Sequence, residues 1–223
     1  DAILKARMID RALRSRFPGD YRDELSLVVT VLSYDEENDP LILAINAASV
    51  ALMNSSAPFD GPIAGVRIGM EGGETKAEYR AIEEDVDKEN KLNYILGGDG
   101  EVFTMIDAGC YELPEDEVIA AMEMGLSEMK NWIKEQDTFL KMLDKKEKEY
   151  TSFKPDEDMM KEISKFLGDK ILENLLAGER DQHEETKEEM FTEFEGTYSK
   201  SQMSEGYDKL LKKAMRKYVL EEK

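Results

Sequence analysis

The first candidates for chemistry are three arginines near the start of the chain, Arg7, Arg11 and Arg14. In a helix over residues 2–17 they stand at positions i, i+4 and i+7 and share one face. Each guanidinium presents a planar fork of N–H donors that can bind two phosphate oxygens at once. The spacing therefore favours a ridge that contacts the phosphates of a single nucleic-acid strand. The alternative is that these arginines pair with carboxylates of an acidic neighbouring subunit or with Asp10, Asp20, Asp23 or Glu24.

The overall charge limits the size of any such site. The chain has 223 residues, of which 41% are hydrophobic and 36% charged, and its formal net charge is −20. This composition predicts a folded chain with enough apolar residues for one good-sized core or two small ones. Because binding to a phosphate backbone depends on Lys and Arg, the acidity excludes a general nucleic-acid coat. A site for RNA or DNA must be local.

Targeting and cysteine signals indicate a reducing compartment. The N-terminal residues carry charges where a secretory signal needs an apolar stretch, and the most apolar run, residues 41–53, is too short to cross a bilayer. The lone cysteine, Cys110, cannot form an internal disulfide. We therefore expect a cytoplasmic protein with no membrane segment.

Other residue types that could do chemistry are better explained by structure. The only histidine, His183, lies in a polar run without the second histidine of a zinc-protease helix, so we expect it to be solvated. Cys110 has no histidine beside it, which predicts a buried or idle thiol. The turn GGDG predicts a hairpin rather than a nucleotide cradle. Four side chains of one long helix are expected to form packing surface: Met122, Met124, Met129 and Trp132.

The elements that position these residues fall into two parts. Up to about residue 150 the pattern predicts an α/β (α+β) domain: a buried strand at 25–34, a core helix at 41–55, a strand at 63–70, a hairpin of 92–98 and 101–109, and a long helix after Pro114. Beyond a charged linker at 145–155 only amphipathic helix is predicted. Because so few strands would leave exposed sheet edges, we expect the chain to begin within a domain.

Several motifs, in order along the chain, carry a resemblance to a known family. They are KARMIDRALRSRFPGDYRDELSLVVTVLSYDEENDPLILAINAASVAL at 5–52, PFDGPIAGVRIG at 58–69, MIDAGCYELPEDEVIAA at 105–121, KKEKEYTSFKP at 145–155 and RKYVLEE at 216–222. Together they resemble bacterial polynucleotide phosphorylases (polyribonucleotide nucleotidyltransferases) of the RNase PH superfamily. The resemblance implies that residues 1–150 are a first RNase PH-like core, with a mixed sheet and incomplete at its N-terminus. Residues 151–223 would be the all-helical middle domain.

This resemblance implies phosphorolytic 3′-to-5′ degradation of single-stranded RNA, which releases nucleoside diphosphates and is reversible. Family members are trimers whose six RNase PH-like domains form a ring around the RNA, and RNA-degradation complexes are further partners. Arg7, Arg11 and Arg14 match family arginines near the RNA path, whereas Arg16 does not. Ala12 and Ser15 replace two family prolines, which favours a more regular helix.

The chemistry itself is expected elsewhere, in a second core of the family that uses Mg²⁺. The metal-binding pattern of that core, laid on this sequence, ends at Asp87 and Asn93, and an uncharged Asn93 makes a metal site here unfavourable. Ser55 and Ser56 are similar to the phosphate-binding serines of that core but are better explained as turn residues. We therefore expect no catalytic residue and no bound metal in this segment, which alone would be inactive. The alternative function is a non-enzymatic, acidic scaffold for protein partners that has kept the fold.

Overall fold

The computed structural model describes residues 2–35, 38–71, 74–77, 91–144, 146–152, 154–177 and 180–221. The chain divides into two compact units, Asp1–Thr151 and Ser152–Lys223. The first unit contains the helices α1 (Ala2–Arg14), α2 (Pro40–Met53) and α3 (Glu115–Leu140) and the strands β1 (Ala64–Glu71), β2 (Glu74–Ala77), β3 (Leu92–Gly98) and β4 (Phe103–Cys110). The second unit contains α4 (Glu157–Leu167), α5 (Lys170–Ala177), α6 (Arg180–Glu193) and α7 (Lys200–Glu221). The α/β fold class with a helical region after it is confirmed.

The four strands form one sheet in the order β2-β1-β3-β4. The pairings among these described strands are antiparallel, so this part of the sheet is not mixed as the resemblance implied. Successive side chains of a strand point to opposite faces, so the sheet separates two apolar layers. Ile95 packs with α1 and α2 on one face, while its neighbours Tyr94 and Leu96 pack with α3 on the other. A sheet covered on both faces provides a rigid support for α1.

Local sequence explains most of these elements. Asp39 caps α2 by accepting a hydrogen bond from the backbone N–H of Leu41 at 2.9 Å, and Pro40 fits the first helical turn. In the predicted hairpin, the Asp99 carboxylate accepts hydrogen bonds from two backbone N–H groups of the turn, and Gly100 has a φ of 84°. The strand at 63–70, the hairpin and the helices at 41–55 and after Pro114 are therefore confirmed, with ends that differ by a few residues.

The strand predicted for residues 25–34 is wrong. This segment is described without regular secondary structure, and its side chains are exposed, with Val28 and Leu32 at 82% and 92%. Every second side chain, from Leu25 to Val31, faces an apolar groove of about 850 Å³ beside α1 and α2. The β-branched residues keep the segment extended, but a strand also needs a neighbour that completes its hydrogen bonds. No described strand lies beside it.

Buried polar groups join α2 to the sheet. The Arg67 side chain on β1, 3% exposed as a residue, pairs with Asp39 at 2.9 Å and donates through Nε to Asn93 Oδ1 at 3.0 Å. Asn46 on α2 donates to the carbonyl of Gly65 at 2.9 Å and accepts from Gln136 on α3 at 2.9 Å. Because breaking a buried pair leaves an unpaired charge or dipole, these contacts fix how α2 and α3 lie on the sheet.

The second unit is a cluster of four helices within the described residues. Its core consists of Met159, Ile163, Leu167, Ile171, Met190, Met203 and Tyr207. Asp156 caps α4 through hydrogen bonds from the backbone N–H groups of Asp158 and Met159. None of the helices in the described part of either unit is long and apolar enough to cross a membrane.

Candidate functional site

Helix α1 is amphipathic and presents the three predicted arginines to solvent. Its buried face consists of Ile9, Ala12 and Leu13, while Arg7, Arg11 and Arg14 are exposed. The helix ends at Arg14 rather than at residue 17. The predicted common arginine face is therefore present on this helix. We call the exposed face formed by Arg7, Arg11 and Arg14 the arginine ridge.

Close packing holds the ridge against the sheet. A Cβ atom added to Gly97 on β3 would lie 3.0 Å from Cβ of Ala12, so the missing side chain lets the helix approach the strand. The hydroxyl of Thr104 on β4 donates to the carbonyl oxygen of Ala12 at 2.7 Å. This hydrogen bond satisfies one of the last carbonyl groups of the helix. The position of the ridge is thus determined by two neighbouring strands.

The ridge arginines differ in their partners. Arg14 donates through Nε and Nη2 to the carboxylate of Asp10, with four N–O distances between 2.8 and 3.1 Å. That hydrogen bonding, together with the Asp10 charge, raises the pKa of Arg14 above its ordinary value. The side chains of Arg7 and Arg11 make no ion pair or hydrogen bond with any other residue that the structure describes. Pairing within the described chain therefore holds for Arg14 with Asp10 and not for Arg7 or Arg11, and pairing with a neighbouring subunit stays an open alternative.

An open groove of about 400 Å³ lies beside the ridge. Arg11, Arg14 and Ser15 line one side of it, and Thr104, Met105 and Ile106 on β4 line the other. Ile106 is partly exposed there and presents an apolar surface next to two guanidinium groups. This combination of cations and an adjacent apolar wall suits a nucleotide, whose phosphate and base need different surroundings.

Arg16 does not belong to the ridge. Its Nε donates to the backbone carbonyl of Asp60 at 2.6 Å, and Nη1 lies 3.2 Å from the Asp99 carboxylate of the hairpin turn. Its side chain is 23% exposed. Arg16 therefore ties the end of α1 to two loops. Sequence reasoning missed this contact because no local spacing relates Arg16 to Asp60 or Asp99, whereas the i, i+4 spacing of Asp10 and Arg14 was available.

The proposed metal and phosphate positions have structural explanations. Asn93 accepts a hydrogen bond from the Arg67 guanidinium, a cation that would repel Mg²⁺, so this position does not fit a divalent ion. Asp87 lies outside the described residues. Among the residues that are described, no cluster of three or more His, Cys, Asp or Glu side chains is arranged to hold a metal. Ser55 donates to the carbonyl of Leu52 at 2.8 Å, as expected of a turn serine, and Ser56 is exposed.

The structure contradicts the expectation for one single residue and narrows it for another. His183 is not a solvated side chain: it is half-buried on α6, and its Nδ1 lies 2.8 Å from the hydroxyl of Tyr207. Tyr207 is fully buried, and a buried hydroxyl needs a partner, which explains this contact. Cys110 is exposed, so of the two predicted alternatives the buried thiol is wrong and the idle thiol stays a prediction. The expected packing role of the long-helix side chains is confirmed, since Met129 is fully buried and the others pack around it: Met122, Met124 and Trp132.

Comparison with known proteins places this geometry in a family. The model of the 3′ exoribonuclease family, domain 1 (RNase PH), matches residues 1–58, which include α1 and the arginine ridge. The polyribonucleotide nucleotidyltransferase of Halothermothrix orenii is 31% identical over 237 residues, and the alignment covers 99% of this chain. The chain belongs to the RNase PH superfamily. These two matches confirm the resemblance to polyribonucleotide nucleotidyltransferases that the sequence motifs indicated.

The similarity to this relative extends beyond the residues that the family model matches. The relative aligns along nearly the whole chain, so the helical unit Ser152–Lys223 is similar to it as well. The chain spans about a third of the length of that relative. The enzymatic activity of a complete relative is therefore considered for this chain only under the proposed function.

Proposed function

We propose that this chain is a segment of a phosphorolytic 3′-to-5′ exoribonuclease and supplies RNA contact and ring architecture rather than chemistry. In that reaction inorganic phosphate attacks the terminal phosphodiester of RNA and the last nucleotide leaves as a nucleoside diphosphate, with the reverse reaction extending the chain. The observation that carries the proposal is the 31% identity to a polyribonucleotide nucleotidyltransferase across 99% of the chain. The ring architecture and the RNA substrate are parts of this proposal and do not follow from membership of the superfamily alone.

Two observations support the proposed division between RNA contact in this chain and chemistry elsewhere. Residues 1–150 serve as the first RNase PH-like core and residues 151–223 as the middle domain, which is supported by the division into two units near Thr151. Asn93 beside Arg67 does not fit Mg²⁺, which supports the assignment of catalysis and its metal to a second core in this proposal. The trimer, the cytoplasmic setting and RNA-degradation complexes as partners stay predictions from the resemblance.

The RNA site of the proposal is the arginine ridge. Arg7 and Arg11 are exposed on one helix face, and Arg14 follows one turn later beside the groove. A chain with a net charge of −20 repels RNA at long range, so exposed cations without carboxylate partners are its best place for a phosphate contact. A rigid sheet beneath α1 keeps these cations in fixed positions.

Charge reversal tests the ridge. In Arg7→Glu/Arg11→Glu/Arg14→Glu, the affinity of the chain for a fluorescent oligoadenylate should fall at least about tenfold at low salt, because three phosphate contacts become repulsive. The slope of log affinity against log salt concentration should decrease by about 2. The measurement is fluorescence anisotropy.

The matched control places the same charge change on the other face of the sheet. Lys130, Lys134 and Lys141 are exposed on or just after α3, and their replacement by Glu should change RNA affinity far less. Equal losses in both variants would mean that only net charge matters and would contradict the proposal. When the unmodified chain is incubated with the oligoadenylate, phosphate and Mg²⁺, it should release no nucleoside diphosphate. Measurable release would mean that the active site lies in this chain and would contradict the proposal.

A further inference from the structure

Asp10 shares the exposed face of α1 with the arginine ridge. Positions 7, 10, 11 and 14 are related by i, i+3, i+4 and i+7 spacing, so one acidic residue stands among three basic ones. Its carboxylate binds the Nε and Nη2 edge of Arg14 through contacts of 2.8 to 3.1 Å. The Arg14 and Asp10 side chains are 77% and 49% exposed, so RNA can reach both.

We propose that Asp10 competes with the RNA backbone for Arg14 and so limits how tightly the ridge holds RNA. This inference rests on the proposed function, because it assumes that the ridge contacts RNA. The Nε and Nη2 edge is one of the two edges on which a guanidinium binds an anion bidentately. A phosphate must displace Asp10 from that edge or bind at the Nη1 and Nη2 edge beside the negative carboxylate. Either route weakens RNA binding relative to a free arginine.

The Asp10–Arg14 ion pair is weak enough for a phosphate to compete with it, so Asp10 does not exclude RNA from Arg14 altogether. Exposed ion pairs within a helix are weak, so a phosphate can displace the carboxylate of Asp10. An intramolecular anion on the ridge also helps Arg14 to release one phosphate before it binds the next. An enzyme that advances along RNA needs such weak and replaceable contacts.

The neighbouring arginines show that this arrangement is confined to Arg14. Arg7 and Arg11 have no carboxylate partner in the described part of the chain. Arg16 also has partners, but it donates to the backbone carbonyl of Asp60 and lies half-buried between two loops. A phosphate is therefore less able to replace the partners of Arg16 than that of Arg14. Only Arg14, among the arginines of α1, combines an exposed side chain with an exchangeable anion in the described part of the chain.

The test is a double-mutant cycle on the 223-residue chain with a fluorescent oligoadenylate at low salt. Asp10→Asn removes the charge and keeps the shape, and it should strengthen RNA binding about two- to fivefold. Arg14→Gln should weaken binding. In the Arg14→Gln background, Asp10→Asn should have little effect, because its influence passes through Arg14. The matched control is Asp137→Asn, an exposed carboxylate on α3, which should leave affinity unchanged.

Each outcome decides the inference. Unchanged or weaker binding by Asp10→Asn overturns it, and so does an equal gain with and without Arg14, because Asp10 then acts only as a general negative charge. Loss of affinity in Arg7→Gln and Arg11→Gln without any effect of Asp10→Asn would overturn this inference and leave the proposed function in place. No RNA binding by any variant would overturn both. Far-UV circular dichroism confirms that the variants keep their helix content.

Discussion

Arginines that are neighbours in sequence have different roles because their side chains meet different surroundings. Arg11 and Arg14 line an open groove, whereas Arg16 ends between Asp60 and the turn residue Asp99. Burial alone would raise the pKa of Asp99, but hydrogen bonds from the backbone N–H groups of Val102 and Glu101 and the charge of Arg16 hold it below its ordinary value. The Asp99 carboxylate is thus bound on both sides, by the turn and by the end of α1.

Asp99→Asn tests this residue through pH. Because the folded-state pKa is lowered, the ionised Asp99 stabilises the protein above the pKa of the unfolded chain, and this stabilisation is lost as pH falls through the folded-state pKa. The variant should lose about 1–2 kcal/mol in free energy of unfolding near pH 7 and less than that near pH 3. Urea unfolding at both pH values is the measurement. A loss of equal size at both, or none beyond that of the control Asp137→Asn, would contradict it.

At the scale of elements, those that depend on local sequence signals could be predicted, whereas those that depend on tertiary partners could not. The cap Asp39 with Pro40, the Asp99-Gly100 turn and the acidic first turn of α3 are short-range features, so these elements could be predicted from the sequence. The strand at 25–34 could not be judged in this way, since a strand forms only beside another strand. The same limit applies to the site, where the ridge is a local spacing but the partners of Arg16 come from distant loops.

Two leucine substitutions measure the difference between the exposed segment at 25–34 and the core. Leu32 is 92% exposed, so Leu32→Ser should change the free energy of unfolding by no more than about 0.5 kcal/mol. Leu13 is buried beneath the ridge, and Leu13→Ala should cost about 2–5 kcal/mol because it leaves a cavity. Chemical denaturation gives both values. A loss for Leu32→Ser as large as that for Leu13→Ala would mean that this segment is packed in solution.

At the scale of the whole molecule, a strongly acidic chain presents a small basic ridge on a covered sheet. Under the proposed function, the acidity keeps RNA away from most of the surface, and the ridge supplies a local attraction that the folded core holds in place. The identity to a polyribonucleotide nucleotidyltransferase extends across both units, whereas the candidate RNA contacts are confined to α1 and the neighbouring strand β4. The central claim is therefore that RNA binds this chain at the arginine ridge.

Photo-crosslinking tests that claim most directly. A single-stranded RNA that carries 4-thiouridine is bound to the 223-residue chain at low salt, irradiated and mapped by mass spectrometry of the digested protein. Crosslinks should fall in peptides that contain α1 and β4, and the Arg7→Glu/Arg11→Glu/Arg14→Glu variant should lose them. Crosslinks confined to α3 or to Ser152–Lys223, and unchanged in that variant, would contradict the account.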